Sequence, residues 1–537
     1  MKTFQRIIQI AMLGALLSAC AANSGLWGAP ATPTLEAIPI PLIGMATQAP
    51  QVILPASITP TPNNPVPSLT PSLPASSTPA PSPISAQASA TLPPVNTAGP
   101  MDVYRSQGGD TLNIIATRFG LEPWEIVAEM VLPPADSLIP FNTLMLMPKG
   151  APDQARTPGE RSIPDSEVVL GPSTIGFNTS DYVTNKGGYL STLKVETKSG
   201  GITSGAQAVV RISQENSLSP RIILAIIEYE SHWVLVQPTN MAQDEYPLGY
   251  VNYQYRGLFR QLMWASGTLS DGYYRWRSGK LTQISFPDGS SLRLNPNLNA
   301  GTAALQYYFA QTHNRAEWEQ AMAPNGFAAL YERMFGSAWE RAKPFEPSLP
   351  TGLVQPALTL PFEPGKVWAF SGGPHSAWEE TGGALAAMDF APASEVSGCV
   401  KNDAWVIAPA DGVIARTGPG VVILDLDGDG FEETGWDIMF LHIRSDGKVS
   451  PLQTVKKGDH IGHPSCEGGY ATGTHLHIAR KFNGEWILAD GPLAFNMDGW
   501  TAHNGAAPYK GSLTKGDRVI IANTSGSFDT RIIRDKQ

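Results

Sequence analysis

The chain has 537 residues with 47 prolines, 52 glycines and a net charge of −10, long enough for about three domains. That charge excludes a basic nucleic-acid-binding surface, so no nucleic acid is expected as a partner, and a monomer is expected. There are only three cysteines, Cys20, Cys399 and Cys466, whereas His375, His442, His460, His463, His475, His477 and His503 crowd into the last third.

The amino terminus carries Lys2 and Arg6, then a short apolar run over 7–17 that is too short to span a bilayer stably. It ends in Leu17-Ser18-Ala19-Cys20, which resembles the lipobox of bacterial lipoproteins. The resemblance implies a signal peptide over 1–20, lipidation at Cys20 and an extracytoplasmic protein held to the membrane by its lipid anchor; an ordinary secretory cleavage site is the alternative. Export would place Cys399 and Cys466 in an oxidising compartment, where they can pair in a disulfide; two free thiols are the alternative. Residues 21–100, rich in Pro, Ser and Thr, cannot bury enough apolar surface to fold and read as a disordered linker.

Residues 101–150 begin with a strand near Tyr104 and a Gly109-Asp110-Thr111-Leu112 turn that starts a helix. Leu112, Ile115, Ala116 and Phe119 have helical spacing and Gly120 stops it. A second helix is expected near 124–130, and a strand over Leu144-Met145-Leu146-Met147 closes the unit. This resembles a LysM domain, a small β-α-α-β module. The resemblance implies binding of N-acetylglucosamine polymers such as peptidoglycan, through Gly109, Asp110, Thr111 and Leu112 and the stretch near Pro140 to Thr143.

Residues 160–345 read as mainly α. Ser219 is placed to cap and Pro220 to start a helix running to Ser231, on which Ile223, Ile226, Ile227 and Glu230 share a face. A carboxyl on an apolar stripe should have a raised pKa, as a glycosidase general acid requires. Glu230-Ser231 on this helix, with Gly257-Leu258-Phe259-Arg260-Gln261, resembles weakly the lysozyme-like lytic transglycosylases. The resemblance makes Glu230 a possible glycosidase acid; a lysozyme-like remnant that binds glycan or only spaces the other domains is the alternative. The aromatic residues here (Tyr253, Tyr255, Trp264, Tyr273, Tyr274, Trp276) suit sugar stacking or, more commonly, packing.

After a Pro-rich linker over 346–364, residues 365–500 read as short antiparallel strands, with 501–537 as a carboxy-terminal extension. Val406 to Ala415 is expected as a hairpin turning at Asp411-Gly412. His475 and His477 are two apart on a strand and so share a face. Gly372-Gly373-Pro374-His375, Asp389, His442 and Gly473-Thr474-His475-Leu476-His477 occur in an order that resembles the lysostaphin-type zinc metallopeptidases, beta-lytic branch. The resemblance implies a mainly antiparallel β fold, Zn²⁺ on His375, Asp389 and His477, and catalytic roles for His442 and His475. Asp425, Asp427 and Asp429 look like the start of a Ca²⁺ loop, but Trp436 stands where a Glu ligand is expected, so a polar hairpin tip is the competing reading. His460, His463 and His503 read as surface or packing residues.

The multidomain order (anchor, linker, LysM module, lysozyme-like helices, metallopeptidase) implies a membrane-tethered zinc endopeptidase that cuts peptidoglycan peptide stems or cross-bridges. A non-catalytic wall-binding regulator of other hydrolases and a protease for glycine-rich proteins are the rival readings.

Overall fold

The structure is a computed structural model that describes residues 99–149, 156–198, 200–238, 244–378 and 383–536. The signal segment, Cys20 and nearly all of the Pro-rich tract lie outside these residues. Helices dominate between about 179 and 342, and mainly antiparallel sheets dominate on either side.

The first module contains β1 (Met101–Arg105), α1 (Leu112–Phe119), β2 (Val127–Ala128) and β3 (Leu144–Pro148), with the sheet in the order β1-β3-β2. Thr111 caps α1 by accepting the Ile114 N–H, and Gly120 leaves it in the left-handed region, as expected. The expected second helix is a correction. Only a single turn, Pro123–Glu125, forms there, and Val127–Ala128 then pairs with β3. Ile126 and Val127 are β-branched and prefer the pleated surface beside Leu146.

The helical region packs α2 (Gly205–Asn216), α3 (Pro220–Ser231), α4 (Leu258–Arg277) and α5 (Ala300–Ala310) around one core. Residues Ile222 to Glu228 of α3 are buried all round. Ser219 stands at the cap position, but its buried hydroxyl bonds nothing, which corrects the expected cap. Pro220 has no N–H and presets the first turn, so a side-chain cap has less to do.

The carboxy-terminal part is built on a nine-stranded sheet. Its labelled strands are β4 (Val367–Ser376), β5 (Leu385–Pro392), β6 (Gly412–Gly418), β7 (Gly420–Asp425), β8 (Trp436–Ile443) and β9 (Leu476–Phe482). They run in the order β6-β7-β8-β9-β5-β4, all antiparallel. The described part of the carboxy-terminal segment, 501–536, is woven into this part, since Arg531–Ile533 pairs with Val367–Ala369. The expected hairpin at Asp411-Gly412 is also a correction. Val406–Ile407 pairs with His460–Gly462, and β6 turns through Pro419 into β7. Asp411 instead accepts the Lys457 N–H at 2.8 Å, so its carboxylate ties two loops together.

Every residue of β8 is buried, because both faces of the sheet are covered. Val422, Ile438, Phe440 and Ile478 point into one core; Ile423, Met439 and Ala479 point into the core of the helical region. The turn before Glu485 seals that contact, with the Ser217 hydroxyl donating to the Gly484 carbonyl at 2.7 Å and the Trp486 indole donating to the Asn216 carbonyl at 3.2 Å.

Candidate metal centre

The register places Leu441, His477, Asp389 and Gly372 side by side across β8, β9, β5 and β4. Residues directly opposite each other share a face, so His477 and Asp389 converge on the side that the helical region partly covers. His375 joins them from β4, where the pairing is irregular between Gly372 and Ser376. Such irregularity lets a strand re-aim a side chain.

The three side chains are almost wholly buried, and one donor atom from each lies within 4.8 Å of the others. Hydrogen bonds fix both rings. Nδ1 of His375 lies 2.8 Å from the Gly373 carbonyl and Nε2 of His477 lies 2.9 Å from the Ala377 carbonyl. A carbonyl only accepts, so those ring nitrogens carry the protons, and the lone pairs sit on His375 Nε2 and His477 Nδ1. These two atoms are 3.0 Å apart, and each lies within 3.3 Å of Asp389 Oδ1, which has no hydrogen-bond partner of normal geometry. Three acceptors facing one another repel unless a cation or an extra ring proton lies between them. The donor set of two imidazoles and a carboxylate suits Zn²⁺ with one position left open. Burial alone would raise the Asp389 carboxyl, but positive charge on the surrounding imidazoles, His375 first, outweighs burial and holds it well below its ordinary value, as a cation among the three donors would.

His442 and His475 stand beside this group. Their ring centroids are 4.5 Å apart, and His475 Nε2 lies 3.7 Å from Asp389 Oδ1. Nδ1 of His442 donates to the Glu467 carbonyl and Nδ1 of His475 to the Gly473 carbonyl, at 2.8 and 2.7 Å. Each ring is therefore fixed with a proton on Nδ1 and its Nε2 turned away from that carbonyl. Strand alternation would turn His442 away from the face of Leu441. Its left-handed backbone, φ 63°, and the irregular pairing at Gly420 break that alternation. Burial, then the neighbouring His475 and His477, lowers the His442 pKa to about 3, so the ring is neutral. Cys399 and Cys466 form the expected disulfide.

Tyr509 was missed from the sequence. Its ring stacks on His375 with centroids 4.0 Å apart, and its backbone carbonyl accepts the Gly373 N–H at 3.0 Å. A lone tyrosine in a Gly- and Pro-rich stretch has no periodicity to reveal it.

The other expected site residues lie apart from this centre. Burial, then the charge of Glu317, pushes Glu230 up to about 8. Its Oε1 bonds nothing, and its Oε2 is 3.8 Å from His313 Nε2. Glu228 instead accepts the Val234 and Leu235 N–H groups. In the first module, Asp110 and Thr111 are buried. Asp110 takes hydrogen bonds from Tyr104, Gln107 and Arg118, and Thr111 caps α1. Leu112 is half-buried, and Gly109 lines, with Thr111, Tyr274 and Trp486, a cavity of about 600 Å³ between this module and the rest of the chain. Asp425, Asp427 and Asp429 also group within 4.8 Å, but Asp425 already accepts the N–H groups of Asp427, Gly428 and Gly430, and Asp429 those of Phe431 and the Thr434 hydroxyl. Bonds of that kind describe a self-satisfied hairpin tip. His460 and His463 pack on Trp405, and His503 bonds Thr514.

Residues 161–348, the helical region, match the family model described as LasA, N-terminal domain. The chain is 24% identical over 292 residues to protease LasA of Pseudomonas aeruginosa strain PAO1, and 24% identical over 290 residues to that of strain UCBPP-PA14. Each alignment covers 51% of this chain and 65% of the relative, so the chain spans a little under two thirds of the length of these relatives. Among solved structures it is similar to the M23 metalloprotease pseudoalterin from the deep sea, at 22% identity and a TM-score of 0.26, over 32% of this chain and 96% of that one. The catalytic domain of lysostaphin from Staphylococcus simulans aligns at 23% identity and a TM-score of 0.17, over 24% of this chain and 89% of that one. Among the described residues, no helix is long and apolar enough to cross a membrane.

Proposed function

We propose that this chain is a zinc-dependent endopeptidase that cuts peptide stems or cross-bridges of peptidoglycan. The observation that carries the reading is the meeting of two imidazole nitrogens and one carboxylate oxygen, His375 Nε2, His477 Nδ1 and Asp389 Oδ1, all within 3.3 Å of one another in a buried site. These three residues would hold Zn²⁺, which when bound supplies Lewis acidity toward a peptide carbonyl and its attacking water. His475 and His442 direct their Nε2 atoms into the same space, the His442 ring being neutral. One would take the proton of the attacking water and pass it to the departing amine, while the other would position the water or the amine. The 24% identity to a protein named as a protease supports hydrolysis of peptide bonds.

The wall as substrate rests on the amino-terminal reading, in which a lipobox, a linker and a LysM-like module place the enzyme on a membrane beside a glycan polymer. The 101–150 module as a glycan-binding unit, Glu230 as an acid and the domain limits given above belong to the same proposal.

Full-length protein should contain stoichiometric zinc by mass spectrometry, and His477→Ala should lose it. Peptides released from purified sacculi should disappear with a chelator and return with added zinc. Zinc retained by His477→Ala would sink the ligand set, and chelator-insensitive release would sink the mechanism.

A further inference from the structure

His442 and His475, which stand beside the three ligand residues, rest on one short segment, Ser465 to Glu467. Ser465 donates its N–H at 2.7 Å and its hydroxyl at 3.0 Å to the His442 carbonyl, and its own carbonyl takes the His475 N–H at 3.3 Å. The Glu467 carbonyl takes the Nδ1 proton of His442 at 2.8 Å. Ser465 thus holds the backbone of both histidines, and Glu467 holds the ring of one. Cys466 between them is joined to Cys399. The neighbours of Cys399 grip the residue before His475: the Gly398 carbonyl takes the Thr474 N–H at 3.0 Å, and the Val400 N–H donates to the Thr474 hydroxyl at 3.0 Å.

His442 needs this support. It keeps a left-handed backbone, φ 63°, without being glycine. Such a conformation lasts only where its surroundings over-determine it. The ring lies 4.5 Å from that of His475 and 6.0 Å from that of His477, centroid to centroid. The free nitrogen of an imidazole is aimed by the bond that its other nitrogen makes. The direction of His442 Nε2 is therefore set by the Glu467 carbonyl.

That carbonyl is itself aimed. The β6-β7 turn packs flush on its peptide, since a Cβ on Gly420 would lie 2.4 Å from the Glu467 carbonyl oxygen. The Glu467 side chain reaches back to the residue just beyond β8, where its Oε2 accepts the Ser445 N–H at 2.9 Å and the Ser445 hydroxyl. The carboxylate so closes a ring of contacts from the end of β8 to the atom that holds the His442 imidazole. The rings of His375 and His477 are fixed by the Gly373 and Ala377 carbonyls instead.

We propose that Glu467 is a positioning residue for the His442 and His475 pair. Its carboxylate, seated on Ser445, aims the carbonyl that orients the His442 ring, and Ser465 carries that order on to His475. That the pair acts on a peptide bond rests on the peptidase reading above; the orientation of the ring does not.

The test uses the full chain with Glu467→Ala and Glu467→Gln. Alanine removes the seat on Ser445, whereas glutamine keeps an oxygen that accepts the same N–H and hydroxyl. In Glu467→Ala the maximal rate of peptide release from purified sacculi should fall about 10- to 100-fold, the usual cost of disturbing an outer support. The half-saturating sacculus concentration and the zinc stoichiometry should not change. Glu467→Gln should recover most of the rate. In protein labelled with ¹⁵N-histidine, the His442 Nδ1 proton is identified by its absence from His442→Asn. It should be visible in the wild type and in Glu467→Gln and lost to exchange in Glu467→Ala. An unchanged rate in Glu467→Ala, a loss that glutamine does not relieve, or zinc lost along with the rate overturns the proposal. A wild type that releases no peptides refutes the peptidase reading alone. The Nδ1 signal then decides, and equal strength in the wild type and both Glu467 variants overturns the positioning role.

Discussion

At Gly372 and Gly373 the missing side chain is what allows the ligands to meet. A Cβ on Gly372 would lie 2.5 Å from Asp389 Oδ2, and one on Gly373 would lie 2.6 Å from the Lys510 backbone, beside the Tyr509 ring that stacks on His375. Gly372→Ala should therefore push the Asp389 carboxylate aside and weaken zinc binding about 10- to 100-fold, the usual cost of disturbing a ligand's support. Competition with a chelating dye measures this, and unchanged affinity would remove Asp389 from the ligand set. Glu230 makes a prediction of a different kind. Its carboxyl titrates at about 8 in the fold against 4.5 as the ordinary value. Between those values the folded chain keeps a proton that the unfolded chain has lost, so stability falls as pH rises through the window. The loss is on the order of a few kcal/mol. Glu230→Gln cannot ionise, so its melting temperature should pull ahead of the wild type between about pH 5 and 8, while the two stay close below pH 5. Parallel melting curves across that range would show that Glu230 is not held protonated.

At the scale of the element, what could be read from the sequence was what is punctuated locally. Helix α1 lies between a Thr cap and a left-handed Gly, and α3 starts at a proline. The grouping of His375, Asp389 and His477 was expected from a family resemblance, not from spacing alone. His475 and His477 share one strand, and Asp389, fourteen positions after His375 (389 − 375 = 14), lies on a β4-β5 return in which His375 faces Ala387 and Gly372 faces Asp389. Long-range choices were not legible. Asp411-Gly412 has the residues of a hairpin turn, yet the pairing of Val406–Ile407 is decided by His460–Gly462, more than fifty residues away. The buried run of β8 reads as a strand, but no period within it says that helices cover one face.

For residues 99–536 as a whole, the parts meet at one guanidinium. Arg277, at the end of α4, bonds Glu485 of the sheet domain through Nε at 2.8 Å and Nη2 at 3.0 Å. It also bonds the Ser348 hydroxyl of the linker, the Gly108 carbonyl of the first module and, at 3.0 Å, Asp165 of the helical region. Replacing such a buried network with apolar groups can be neutral, but removing one partner leaves uncompensated charge. Arg277→Met would strand two carboxylates, since the Glu485 and Asp165 side chains are both less than a tenth exposed. The expected cost is roughly 3–5 kcal/mol, read from the midpoint of a denaturant titration. The loss should not be uniform. Arg118 still donates to the Trp276 carbonyl and stacks on that ring, and Gln107 still donates to the Leu298 carbonyl, so the first module keeps some hold on the helical region. The sheet domain loses its charged tie while keeping apolar contact, the bonds around Gly484 and Trp486, and two neutral-donor bonds, Gly383 N–H to Asp271 and the Tyr273 hydroxyl to Glu485. Limited proteolysis of Arg277→Met should therefore cut first in the 346–364 linker, ahead of any cut between the first module and the helices. Wild-type resistance at that linker would show that apolar burial against the sheet, rather than the shared guanidinium, holds the parts together.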